Sequence, residues 1–136
     1  PKSTFWNIRK QIISIKIRNC TTVSTFYLNG YPYYLLPDYA SAVESGVLDN
    51  VDKNRGVLLQ MAQGIALTET EDVISEALLT TSAESYSKTV GYEMTTLTQE
   101  DGDPDGPFTL AAYARNENTE AEVIWIDCGN MDNEGI

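Results

Sequence analysis

Apolar and polar positions along the chain divide it into short segments of two periods. In "IISIKI", residues 12–17, β-branched residues alternate with polar ones, which predicts a half-buried strand. Just before it, "TFWNIRKQ", 4–11, places Phe5, Ile8 and Ile12 on one face and predicts the end of a helix. "DYASAVESG", 38–46, reads as a short helix with Asp38 at its N-cap and Gly46 closing it. "VLLQMAQGIAL", 57–67, is a mostly apolar run suited to a buried strand bent at Gly64. "VISEALLTTS", 73–82, is a further strand, with Ser82 placed to cap a short helix over "AESYSK". "PFTLAAYARN", 107–116, and "AEVIWIDCG", 121–129, predict two strands joined by "ENTE", an antiparallel hairpin by loop length. Residues 18–34 are rich in Thr, Ser, Asn, Gly and Pro and read as a long irregular connection, 89–99 are weakly strand-like and read as a flexible excursion, and no internal repeat is present.

These elements together predict an α/β (or α+β) chain, a mixed five-stranded sheet with two or three short helices in one domain over residues 1–136. A helix feeding strand 12–17 at the very start predicts that earlier strands lie upstream, so that the chain is the back half of a larger domain. A sheet without its first strands presents an edge, and self-association along it is expected.

Composition narrows the function classes. Hydrophobic residues make up 42% of the 136, enough for a packed core. No apolar run approaches the ~20 residues that span a bilayer as a helix, and no signal-peptide pattern is present. The net charge of -11 argues against a nucleic-acid partner, whose phosphates require clustered Lys and Arg. The charge is unevenly placed. Residues 1–37 carry Lys2, Arg9, Lys10, Lys16 and Arg18 with no acid, whereas the rest holds all 20 acids against four bases. The basic leader is expected to lie against the acidic body or to face an upstream half, the alternative being a patch for a membrane surface or an acidic partner.

Cys20 and Cys128 are the only cysteines and there is no His. That excludes a Cys–His nucleophile within the chain and disfavours structural zinc; free thiols or one disulfide both satisfy the sequence. The carboxylate pairs Glu69 with Glu71 and Glu117 with Glu120 lie in polar connections where solvated acids are expected, and no Ser has a positioned base. The residues predict a non-enzyme with no cofactor.

Two stretches hold candidate binding chemistry. In "EDGDPDGPFT", 100–109, Asp101, Asp103, Asp105 and Gly106 match the first positions of an EF-type calcium loop. The twelfth position is Ala112, which cannot supply the bidentate acid, and strand follows where the motif needs a helix. The stretch is therefore expected to be a turn, with weak calcium binding helped by Glu93 or Glu100 as the alternative. The second stretch, 26–39, concentrates Tyr27, Tyr31, Tyr33, Tyr34 and Tyr39 between Pro32 and Pro37. Tyr offers large contact area at small entropic cost, so Tyr31, Tyr33, Tyr34 and Asp38 are the expected ligand or partner contacts; the same tyrosines could instead pin the loop to the sheet.

Three stretches, "GYPYYLLPDY" (30–39), "LLQMAQGIAL" with "ALLTTSAESYSK" (58–67 and 77–88) and "EDGDPDGPFTLAA" (100–112), together resemble one family. It is the auxiliary family of uncharacterised ABC-type transport systems, relatives of a gliding-motility transporter component. The likeness extends to "NIRKQIISIKI" and departs near "WIDCGNMDNEG", where the family more often has small hydroxyl residues before an acidic pair. The resemblance implies the C-terminal half of a flavodoxin-like or amidotransferase-like extracytoplasmic domain. Its parent would be anchored in a bacterial membrane by transmembrane helices and would work beside ABC permease and ATPase subunits, with no catalytic residue to carry over. A surface structural or adhesive domain with weak calcium binding is the alternative.

Overall fold

A computed structural model describes residues 9–10, 14–16, 34–60, 62–68, 70–88, 95–96 and 98–128, and the statements below concern these. Ten strands follow one another without a helix among them. They are β1 (Arg9–Lys10), β2 (Ser14–Lys16), β3 (Tyr34–Leu35), β4 (Asp38–Tyr39), β5 (Leu59–Gln60), β6 (Ile65–Ala66), β7 (Val73–Thr80), β8 (Tyr86–Lys88), β9 (Thr109–Asn116) and β10 (Glu122–Ile126). Six of them form one sheet in the order β1-β6-β9-β7-β4, with β10 also paired to β9. Two small ribbons, β2-β8 and β3-β5, complete the pairing, and every pair is antiparallel.

The long strands β7 and β9 form the centre. Their register pairs Ala77 with Ala112, then Leu79 with Ala111, then Thr80 with Thr109, so each strand carries one extra residue, Leu78 and Leu110 respectively. These two bulges let consecutive apolar residues enter one core. Leu78, Leu79, Leu110 and Ala111 all belong to it, with Leu35, Leu48, Leu59, Ala62 and Tyr113. Val43, Val47 and Val57 pack against that cluster from the segment between β4 and β5. The segment thus lids the face of β7 and β9 that carries Tyr113.

The expected α/β architecture is corrected by this sheet. A flavodoxin-like half would need parallel strands with helical crossovers, and the described residues hold neither. "DYASAVESG" is a strand followed by an irregular turn, because a helix this short is marginal on its own and its Tyr39 and Val43 reach the core from the strand and the irregular segment. Asp38 and Tyr39 pair instead with Thr80 and Leu79, and Gly46 takes a φ of +75° in a turn that closes with Asp49 N–H on the Gly46 carbonyl. "AESYSK" becomes a turn and then β8, in which Tyr86 and Ser87 are buried. The helix read over 4–11 lies mostly outside the described residues, but Arg9 and Lys10 are strand, paired with Ala66 and Ile65. The single bent strand read over 57–67 is two, β5 and β6, in different sheets. The hairpin of β9 and β10 has the expected antiparallel pairing, from Glu122 opposite Arg115 to Ile126 opposite Ala111. Its loop is tied by Asn116 Oδ1, which accepts the N–H groups of Asn118 and Thr119, and Glu120 turns the chain at a φ of 57°.

A buried hydroxyl relay fastens β7, β8 and the acidic turn together. Phe108 N–H donates to Thr81 Oγ1 at 2.7 Å, Thr81 and Ser85 hydroxyls meet at 2.7 Å, and Ser85 donates to the Ser82 carbonyl at 2.7 Å. Because the Ser85 proton is committed to Ser82, Thr81 is the donor to Ser85.

Candidate functional site

Strand register decides which side chains share the lidded face. Ile74, Arg115 and Glu122 form one cross-strand row, and Glu76, Tyr113 and Ile124 form the next. With Ala42, Glu44 and Ser45 from the lid, these rows line an open cleft of about 510 Å³; Ile124 stands just outside it.

The polar groups of the cleft are held in place. Glu76 accepts the backbone N–H groups of Glu44 at 2.7 Å and Ser45 at 2.8 Å, so its carboxylate takes up donors that a helix over 38–46 would have satisfied internally. Burial pushes the Glu76 carboxyl up, but the hydrogen bonds from the Ser45 hydroxyl and the two N–H groups outweigh it, and its pKa lies below the ordinary value. Tyr113 donates its hydroxyl to Glu122 Oε1 at 2.6 Å. That bond to an acceptor carboxylate, with burial second, raises the phenol pKa. Arg115 lies 3.5 Å from Glu120 across the hairpin end, an exposed pair of little energetic weight.

The cleft is bordered by apolar surface that the lid does not reach. Ile74 is 49% exposed and Ile124 51%, with Ile126 beside it at 39%. Such an arrangement can bind by apolar contact and by its fixed carboxylates.

The sequence-derived candidates lie elsewhere. Tyr31 and Tyr33 fall outside the described residues. Tyr34 is in β3, paired with Gln60, and Asp38 is exposed in the two-residue edge strand β4. Tyr39 packs against the core and its hydroxyl donates to the Arg55 carbonyl at 3.2 Å, a pinning role. Asp103 accepts the Glu100 N–H at 2.9 Å, and Asp105 accepts Gln99 Nε2 at 2.8 Å. The turn is also sewn to β8 through Gly106 N–H on the Ser85 carbonyl and Ser87 N–H on the Pro104 carbonyl. Among the described residues no group of three or more Cys, Asp or Glu side chains could hold a metal ion. Cys128 is a free thiol packed against the core, and Cys20 lies outside the described residues.

Sequence reasoning missed Glu76, Tyr113 and Glu122. The hairpin held a signal: a loop over "ENTE" fixes Arg115 opposite Glu122 and Tyr113 opposite Ile124. The row reaching Glu76 had none, because it depends on which strand lies beside β9. No protein-family model matches this chain, and neither the curated proteins nor the solved structures contain a match to it.

Proposed function

We propose that this chain is a non-enzymatic contact domain, an accessory of an ABC-type transport system at the extracytoplasmic face of a bacterial membrane. Its partners are the permease and ATPase subunits of that system, and its parent is anchored by transmembrane helices. The observation that carries the contact role is the cleft face, where anchored Glu76 and Glu122 are bordered by exposed Ile74, Ile124 and Ile126. Glu76 and Tyr113 are both shifted toward the form they already hold near neutral pH, which suits fixed recognition groups better than proton-transfer groups. The transport role rests on the three sequence stretches alone, since the flavodoxin-like part of the resemblance is overturned by the antiparallel sheet.

Co-expression with the ABC permease encoded beside the parent gene, followed by co-purification, tests the role. Recovery of a complex that Ile124→Glu disrupts is the expected result. No complex with a folded permease, together with unchanged transport after deletion of this region, would reject it.

A further inference from the structure

The backbone of β10 carries more than its side chains. Asn116 N–H donates to the Ala121 carbonyl and Asp127 N–H to the Leu110 carbonyl, so residues 121 and 127 bond inward to β9. In an antiparallel pair these bonded positions alternate. Val123 and Trp125 therefore also face β9, while the N–H and C=O groups of Glu122, Ile124 and Ile126 point away from it. No described strand pairs with that outer edge. Natural edges are usually blunted by Lys, Pro, a bulge or shortness. This one is five residues long, "EVIWI", with an unbroken register and with Ile124, Trp125 and Ile126 all more than a third exposed.

We propose that the outer edge of β10 is a β-augmentation site for an extended, cationic segment of a partner protein. Charge selects that occupant. Glu122 sits on the edge, Glu117 and Glu120 stand in the hairpin loop leading to it, and Arg115 is paired with Glu120. The chain as a whole carries -11. A second copy would bring the same charge to the same edge and place Glu122 opposite Ile126 of its partner about the symmetric centre Ile124. A strand with Lys or Arg opposite Glu122, and β-branched residues opposite Ile124 and Ile126, meets both needs: its backbone completes the outward hydrogen bonds, and alternate side chains read the edge. Its cation enters the rim of the cleft, where Glu76 and Glu44 add further negative charge. This inference rests on the contact role and not on the transport assignment.

The test uses a dye-labelled peptide, Val-Thr-Val-Thr-Lys-Thr-Lys, titrated with the full chain and read by fluorescence anisotropy. Three controls accompany it: the same peptide with Glu for Lys, the peptide N-methylated at its second valine, and the Ile124→Pro chain. That chain loses the outward-facing N–H, a change edge strands tolerate, together with the Ile124 side chain. Saturable binding that weakens at least tenfold with each control is expected. Ile124→Lys, which keeps the backbone, should also weaken binding and covers the case in which the proline variant misfolds. Absent binding, or binding unaffected by N-methylation, overturns the proposal, the latter because it signals electrostatic adsorption alone. Self-association of the peptide-free chain that Ile124→Pro abolishes would overturn it in favour of a second copy. Failure here leaves permease co-purification unaffected, so the two readings are separable.

Discussion

Replacing Thr81 by Val keeps its shape and removes its hydroxyl. Thr81 is 3% exposed and Ser85 1%, so water cannot take over the lost bonds without local opening. The substitution leaves the Phe108 N–H without its 2.7 Å acceptor and Ser85 Oγ without its 2.7 Å donor. An orphaned buried amide costs about 1–3 kcal/mol, and the lost hydroxyl–hydroxyl bond adds about 0.5–1.5 kcal/mol. A total near 3 kcal/mol is a large share of a domain's roughly 5–15 kcal/mol and lowers Tm by about 10 °C at this chain length. Thr81→Ser keeps the relay and loses one buried methyl, a cost of about 1 kcal/mol. Paired thermal and urea melts should therefore order the chains wild type, Ser, then Val. A Val variant as stable as the Ser variant would mean that the relay is not formed as described.

Three further outcomes follow from the same geometry. A Cβ added at Gly106 would meet Ser85 Oγ and lie 2.9 Å from the Ser82 carbonyl oxygen, so Gly106→Ala should cost about 1–3 kcal/mol in urea melts, with no loss if the acidic turn sits off β8. Glu76 has a lowered pKa, so its contribution is present above the unfolded carboxylate range and lost as pH falls through the folded value; Glu76→Gln should flatten the acid limb of stability against pH, and an unchanged limb would contradict its anchoring by Glu44 and Ser45. Tyr113 has a raised pKa, so its contribution is present below the ordinary phenol range and lost as pH rises through the folded value; ultraviolet titration should find one late-titrating tyrosine that Glu122→Gln moves earlier, and a Glu122-independent titration would refute the 2.6 Å bond.

How much of this was legible depends on the range of the interactions. The β9–β10 hairpin was readable because alternation and a short loop are local properties of residues 107–129. Strand β7 was readable for the same reason. Helix signals over 38–46 and 83–88 misled because capping residues such as Asp38 and Ser82 also serve turns and strand ends. The outcome there was decided at long range: Glu76 captured the N–H groups of Glu44 and Ser45, and Tyr86 and Ser87 were drawn into burial beside the acidic turn. The cleft was hidden for a further reason. Its rows depend on β7 lying beside β9, a pairing with no signature in the local pattern.

Strand β10 is an edge whose inner side is bonded to β9 and whose outer side pairs with no described strand. Residue-resolved amide hydrogen exchange measures that directly. Protection should alternate, slow at Val123, Trp125 and Asp127 and fast at Glu122, Ile124 and Ile126, with the fast set slowing when the lysine peptide is added. Uniformly slow exchange across 122–127 in the free chain would contradict the account, because the edge would then already be occupied.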